Sequence, residues 1–159
     1  MLYVDSSALM KHYQNERGTD AFDERLRAEF DNSRHVFTSV LSYAEIHAIV
    51  ARRVREKLVS GGEGATIQDR FDADWVLGYS AVELDSYVLI FIRDIVKAHP
   101  LKGADAVHLA SALWLRDMVR AGGKLARSGE QIIFASSDKQ LITAAQQHDL
   151  DIFNPEIEN

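Results

Sequence analysis

Five short apolar runs, at residues 2–4, 35–39, 81–84, 131–135 and 150–153, alternate along this chain with longer stretches whose apolar side chains recur at helical spacing. That alternation restricts the fold severely. Strands separated by helices return to one sheet through right-handed crossovers and lie mostly parallel. Helices are expected over residues 6–13, 19–30, 41–58, 65–77, 85–98, 104–119 and 138–147. Leu9, Met10 and Tyr13 mark the first, Phe22, Leu26 and Phe30 the second, and Ile46, Ile49, Val50, Val54 and Leu58 form a stripe along the third. The cluster Gly61, Gly62 and Gly64 ends the third helix and opens a loop, and Pro100 with Gly103 divides the fifth from the sixth. Gly122 and Gly123 begin a polar loop holding Lys124, Arg127 and Ser128. The expected architecture is one α/β domain over residues 1–159, with a mostly parallel central sheet of about four to five strands flanked by helices.

Four acidic residues stand where strand-like runs give way to helix-like ones. They are Asp5 in YVDSSALMKHY, Glu45 in TSVLSYAEIHAI, Asp105 in LKGADAVHLASAL and Asp138 in IIFASSDKQL. In an α/β sheet such helix starts line a crevice at the carboxyl ends of the strands. Each acid also has a purely structural explanation. Asp5 and Asp138 have the placement of N-caps, Glu45 follows Ser42 by three residues as in a capping box, and Asp105 in a first helical turn is favoured by the helix dipole. Asp105 follows no strand, so its place in the crevice depends on helix packing. Carboxylates that converge repel one another unless one is protonated or a cation lies between them. The chain has no cysteine, so a metal here is held by oxygen or imidazole. Oxygen ligands suit Mg²⁺ or Mn²⁺, and Mg²⁺ held by one or two carboxylates leaves positions open to a phosphate. The chemistry this suggests is phosphodiester cleavage.

A length of 159 residues with 47% hydrophobic and 26% charged content suits one globular domain. No apolar stretch approaches the ~20 residues of a membrane span, and Met1 leads into Leu2, Tyr3 and Val4 with no basic segment before them. A soluble, cytoplasmic protein is expected. A net charge of −6 weighs against holding nucleic acid on a broad basic face. Two divalent cations in the acidic cluster would offset four of those charges, drawing phosphate by metal instead.

The opening YVDSSALMKHYQNERG, the segment LSYAEIHAIVAR, LKGADAVHLASAL and the closing FASSDKQLITAAQQHDLDIFNP together resemble the PIN domain ribonucleases, and among them the VapC-like toxins of type II toxin–antitoxin systems. The resemblance spans nearly the whole chain, and the order and spacing of the motifs are what make it specific. Asp5, Glu45, Asp105 and Asp138 fall on the family's acidic positions, with Ser136 and Ser6 at supporting ones. It implies a PIN-like fold and a Mg²⁺- or Mn²⁺-dependent endoribonuclease that works as a homodimer and is held inactive by a cognate antitoxin. RNA as substrate is the family's implication, since metal-activated water does not need the 2′-hydroxyl.

Other signals are weaker. The six histidines are scattered without a paired ligand spacing. His108, three residues after Asp105, reads as a packing or supporting residue before a ligand. Lys11 and His12 either face a phosphate or sit at a solvated helix end. Arg52, Arg53, Arg55 and Lys57 suit a helix C-terminus or an RNA contact, and Lys124 and Arg127 are equally open. Trp75, Tyr79, Trp114 and Phe91 fall within helical stripes and read as core or dimer contacts. An apolar groove between the early helices suits an antitoxin peptide. Three other classes share part of this pattern. A haloacid dehalogenase phosphatase wants a second Asp where Ser7 stands, and a receiver domain wants paired acids after the first strand where only Asp5 is found. A non-catalytic binding module, its acids only capping helices, fits the same residues one by one.

Overall fold

Residues 1–32, 34–122 and 130–157 are described by the computed structural model. In chain order the elements are β1 (Leu2–Val4), α1 (Ser6–Tyr13), α2 (Thr19–Asp31), β2 (Val36–Ser39), α3 (Leu41–Arg55), α4 (Gly61–Leu77), β3 (Tyr79–Val82), α5 (Ser86–Ala98), α6 (Gly103–Arg120), β4 (Ile133–Ala135), α7 (Lys139–Gln147) and β5 (Asp151–Phe153). The strands form one parallel sheet in the order β3-β2-β1-β4-β5. β1 is central: Leu2 aligns with Val36 on one side and with Ile133 on the other.

The alternation of side chains along each strand divides the interior into two cores. Leu2 and Val4 face one, with Val36, Ala135 and the inner faces of α1, α2, α3 and α4. Tyr3 faces the other, with Phe37, Phe134 and the inner faces of α5, α6 and α7. Trp75 and Tyr79 pack against the first core, Phe91 and Trp114 against the second. His99 and His148, the C-cap residues of α5 and α7, meet with their Nε2 atoms 3.0 Å apart, a contact that no spacing in the sequence signals. No helix of the described residues is long and apolar enough to cross a membrane.

Several boundaries differ from expectation for identifiable reasons. The glycine cluster does not open a loop; it forms the first turn of α4, because Ser60 accepts from the backbone N–H of Glu63 while Glu63 accepts from that of Ser60. The capping box expected at Ser42 and Glu45 does not form. α3 rises directly out of β2 with Val40 as its N-cap, which leaves Ser42 inside the first turn and buried against Thr38, hydroxyl to hydroxyl at 2.6 Å. α3 also stops at Arg55 and not at 58, since Lys57 turns into the left-handed region. β3 lies two residues earlier than expected, its Tyr79 aligned with Val36 and its end set before Asp85, which caps α5. Lys124 and Arg127 lie outside the described residues.

Lys11 and His12 are not free to meet a phosphate. Lys11 is 2% exposed and its ammonium donates to Glu16, to the carbonyl of Arg17 and to Glu156. His12 is engaged by Asp23 at 2.6 Å. Of the basic run, Arg53 turns inward to Gln14 and Glu16, while Arg52, Arg55 and Lys57 are exposed.

Candidate active site at the carboxyl ends of the central strands

The sheet order places β1 where the winding reverses, with β2 on one side and β4 on the other. A crevice at the carboxyl ends of the strands is expected at that point. Asp5 follows β1 directly. Its backbone N–H still bonds to the carbonyl of Ala135 at 3.1 Å, which ties it to the neighbouring strand. Its side chain caps α1 by accepting from the N–H of Ala8 at 2.9 Å. Both carboxylate oxygens receive the Ser7 hydroxyl, at 2.8 and 2.9 Å, and Oδ2 also receives the hydroxyl of Ser136 at 2.7 Å. The serine that serves Asp5 from α1 is thus Ser7, one residue beyond the expected Ser6. The Ser136 oxygen also accepts from the N–H of Asp138 at 3.0 Å. Ser7 crosses to the same loop by accepting from the N–H of Ser137 at 3.0 Å.

Asp138 caps α7 by accepting from Leu141 at 2.9 Å. Asp105 is placed by α6, which packs between α5 and the sheet and presents its first turn to the crevice. Glu45 stands in the second turn of α3, where its Oε2 meets Nε2 of His108 at 2.8 Å. His108 in turn bonds through Nδ1 to the hydroxyl of Tyr3 at 3.1 Å. The importance of Tyr3 had one sequence signal, a phenol inside an otherwise aliphatic strand. The importance of Ser7 had none that separates it from Ser6.

Charge here is crowded. Burial pushes the Asp5 carboxyl above the usual carboxylate range, against the opposing pull of His108 and of the donors from Ala8, Ser136 and Ser7. Burial also raises Asp105, and the negative charge of Asp138 adds to it. Asp5 and Glu45 both act on the Tyr3 hydroxyl, which burial already holds far above its ordinary value. His108 therefore touches Glu45 and lies within electrostatic reach of Asp5 and Asp105.

Among the described residues no group of three or more His, Asp or Glu side chains stands close enough to hold one metal ion. The donor chemistry nonetheless fits a hard cation: every acid offers oxygen, and two carboxyls are raised in a way that an added positive charge would relieve. Mg²⁺ needs only one or two direct carboxylates and keeps several waters, so a closed three-residue cage is not required of it. Asp5, Asp105, Asp138 and Glu45 are the residues whose oxygens could serve such an ion.

Residues 2–146 match the family model of the PIN domain. The chain is 32% identical over 117 residues to ribonuclease VapC45 of Mycobacterium tuberculosis, a match that spans 74% of this chain and 78% of the relative. In three dimensions it resembles FitAcB from Neisseria gonorrhoeae, with a TM-score of 0.67 at 16% identity over 99% of this chain and 100% of that one. It also resembles VapBC2 from Rickettsia felis bound to a DNA fragment from their promoter, with a TM-score of 0.63 at 10% identity over 97% and 98% of the two chains.

Proposed function

This chain belongs to the PIN domain family, and from that premise we propose that it is a Mg²⁺- or Mn²⁺-dependent endoribonuclease, the toxin of a type II toxin–antitoxin pair in the cytoplasm. The observation that carries the proposal is the arrangement of Asp5, Asp105 and Asp138. Ser136 bonds Asp5 and also receives the backbone N–H of Asp138, and Asp105, raised first by burial, is raised further by the negative charge of Asp138. Helix capping accounts for Asp5 and Asp138, whereas Asp105 is not an N-cap: that position of α6 is Lys102, whose backbone N–H bonds to the Asp105 carboxylate without lifting the cost of its burial.

A divalent cation bound there would activate a water and offset negative charge on the scissile phosphate and leaving oxygen. Hydrolysis then adds hydroxide to phosphorus and returns the proton to the leaving oxygen. The chain's own residues do the positioning. Asp5 is held in one orientation by Ser7, Ser136 and the N–H of Ala8, so binding an ion there would not have to order its side chain. Asp105 and Asp138 would supply further negative charge, and Glu45 stands bonded to His108, whose charge acts on Asp5 and Asp105. An antitoxin peptide is supported by a groove of about 440 Å³ lined by Leu26, Phe30 and Leu77 beside Asp23 and Asp74, a setting that suits an apolar segment carrying a basic residue. A homodimer is supported by α5, where Tyr87 and Ile90 are exposed in line with Leu84.

The test is incubation of the purified protein, free of antitoxin, with total cellular RNA in Mg²⁺ or Mn²⁺, beside a chelator control and the Asp105→Asn variant. Discrete fragments that vanish in both controls are expected. Equal fragmentation by wild type and Asp105→Asn would assign the cutting to a contaminant, and no cutting by a folded protein that binds no Mn²⁺ would favour the capping role.

A further inference from the structure

His108 is 1% exposed and makes two side-chain bonds to two different elements, to Tyr3 on β1 and to Glu45 on α3. Tyr3 itself cannot move freely. Its ring stacks on Phe134 with centroids 5.5 Å apart and planes 9° apart, and it meets the His108 ring edge-on at 6.2 Å. A phenol carries its proton at neutral pH, so the Tyr3 O–H, 3.1 Å from Nδ1 of His108, is available to donate to it. An imidazole that accepts at Nδ1 carries its proton on Nε2, where it can only donate. The group facing Nε2 is the Glu45 carboxylate, an acceptor.

We propose that Tyr3 and His108 are positioning residues, a buried relay that fixes His108 as the Nε2–H tautomer and thereby holds the Glu45 carboxylate in the orientation it presents to the crevice. The inference rests on the proposed metal-binding role of the acidic cluster and adds to it the reason that Glu45, alone among the four acids in lacking both a cap and a place in a first helical turn, is held still. The alternation of β1 makes the relay possible: a strand with Leu2 and Val4 turned to one core sends Tyr3 to the other, the side on which α6 carries His108. Groups that hydrogen-bond a ligating side chain commonly change metal affinity by about 10–100-fold when removed.

The experiment is calorimetric titration of Mn²⁺ into the metal-free protein, together with the ¹⁵N spectrum of histidine-labelled protein. His108→Gln keeps a donor at the place of Nε2, His108→Asn keeps only the Nδ1 side, and Tyr3→Phe removes one oxygen without changing the packing of the ring. Mn²⁺ affinity is expected to fall roughly tenfold or more in His108→Asn, to stay within roughly threefold of wild type in His108→Gln, and to fall by a smaller factor in Tyr3→Phe. The His108 nitrogen shifts should be those of a neutral Nε2–H ring. Equal affinities in wild type and His108→Asn, or a ring protonated on Nδ1, would overturn the relay. Should His108→Asn fail to fold, Tyr3→Phe decides: lowered affinity supports the relay and wild-type affinity overturns it. Wild-type protein that binds no Mn²⁺ would overturn both the relay and the metal-binding role beneath it, whereas Mn²⁺ binding indifferent to all three substitutions would overturn the relay alone.

Discussion

Asp105 shows how a single side chain can cost the fold something that a bound cation would restore. Its carboxyl is raised by burial first and by Asp138 second, so the folded protein holds that proton more tightly than the unfolded chain does. For an acid raised in this way the favourable contribution is complete below the unfolded value and is lost as pH climbs through the folded value. Asp5 acts in the same direction. The Asp105→Asn variant, measured without metal, is therefore expected to melt higher than wild type at about pH 7, with the difference shrinking toward about pH 4. Mg²⁺ should raise the melting temperature of wild type more than that of the variant. A variant less stable than wild type at neutral pH would show that the helix-dipole benefit of Asp105 outweighs its repulsion. At this scale the sequence is informative about caps and poor about neighbours. Asp5 and Asp138 were legible because capping is a local relation between one side chain and an N–H three residues on. Ser7 was not separable from Ser6, because which hydroxyl turns back to Asp5 depends on the rotation of α1.

The pattern Ser-x-x-Glu occurs three times; at Ser80 to Glu83 it begins within β3, and of the two at helix starts, Ser42 to Glu45 and Ser60 to Glu63, only the second is a capping box. The difference lies in what precedes each serine. β2 runs into α3 without a break, so Ser42 is already helical and its hydroxyl is taken by Thr38. Ser60 follows a turn and has the extended backbone a cap requires. The box at Ser60 offsets the cost of starting α4 with glycine. Those glycines differ in turn: a Cβ on Gly62 would meet nothing within 4 Å, whereas one on Gly64 would stand 2.6 Å from Cγ2 of Val54 on α3. Gly62→Ala is expected to stabilise the protein by about 0.5–1 kcal/mol through helix propensity, and Gly64→Ala to destabilise it by forcing the two helices apart. Urea denaturation of both variants checks the pair, and a stabilised Gly64→Ala would mean that Val54 yields without cost.

On the scale of the whole molecule, the alternation of strands and helices was enough to specify a parallel α/β sheet, because crossover connections leave few alternatives. The strand order was not legible, since the runs that form β2 and β4 offer β1 equally apolar partners and nothing local says that both will take it. Nor was the entry of Asp105 into the crevice, which follows from the packing of α6 on α5 and β2. The central place of β1 has a measurable consequence. A chain cut after residue 131 would lack β4, α7 and β5, leaving one side of β1 unpaired and the second core without Phe134 and Leu141. Such a chain is expected to show no cooperative unfolding transition in urea when followed by the fluorescence of Trp75 and Trp114, while the full chain unfolds in one step. A sharp transition in the truncated chain would show that the first core stands alone.

The hydrogen bond from Ser136 to Asp5 joins positions 131 residues apart. A ribosome making this chain must add all the residues between them before the crevice can close. For a nuclease of the proposed kind that delay is protective: the nascent polypeptide has no assembled blade while it is still tethered to the message and the ribosomal RNA that are producing it.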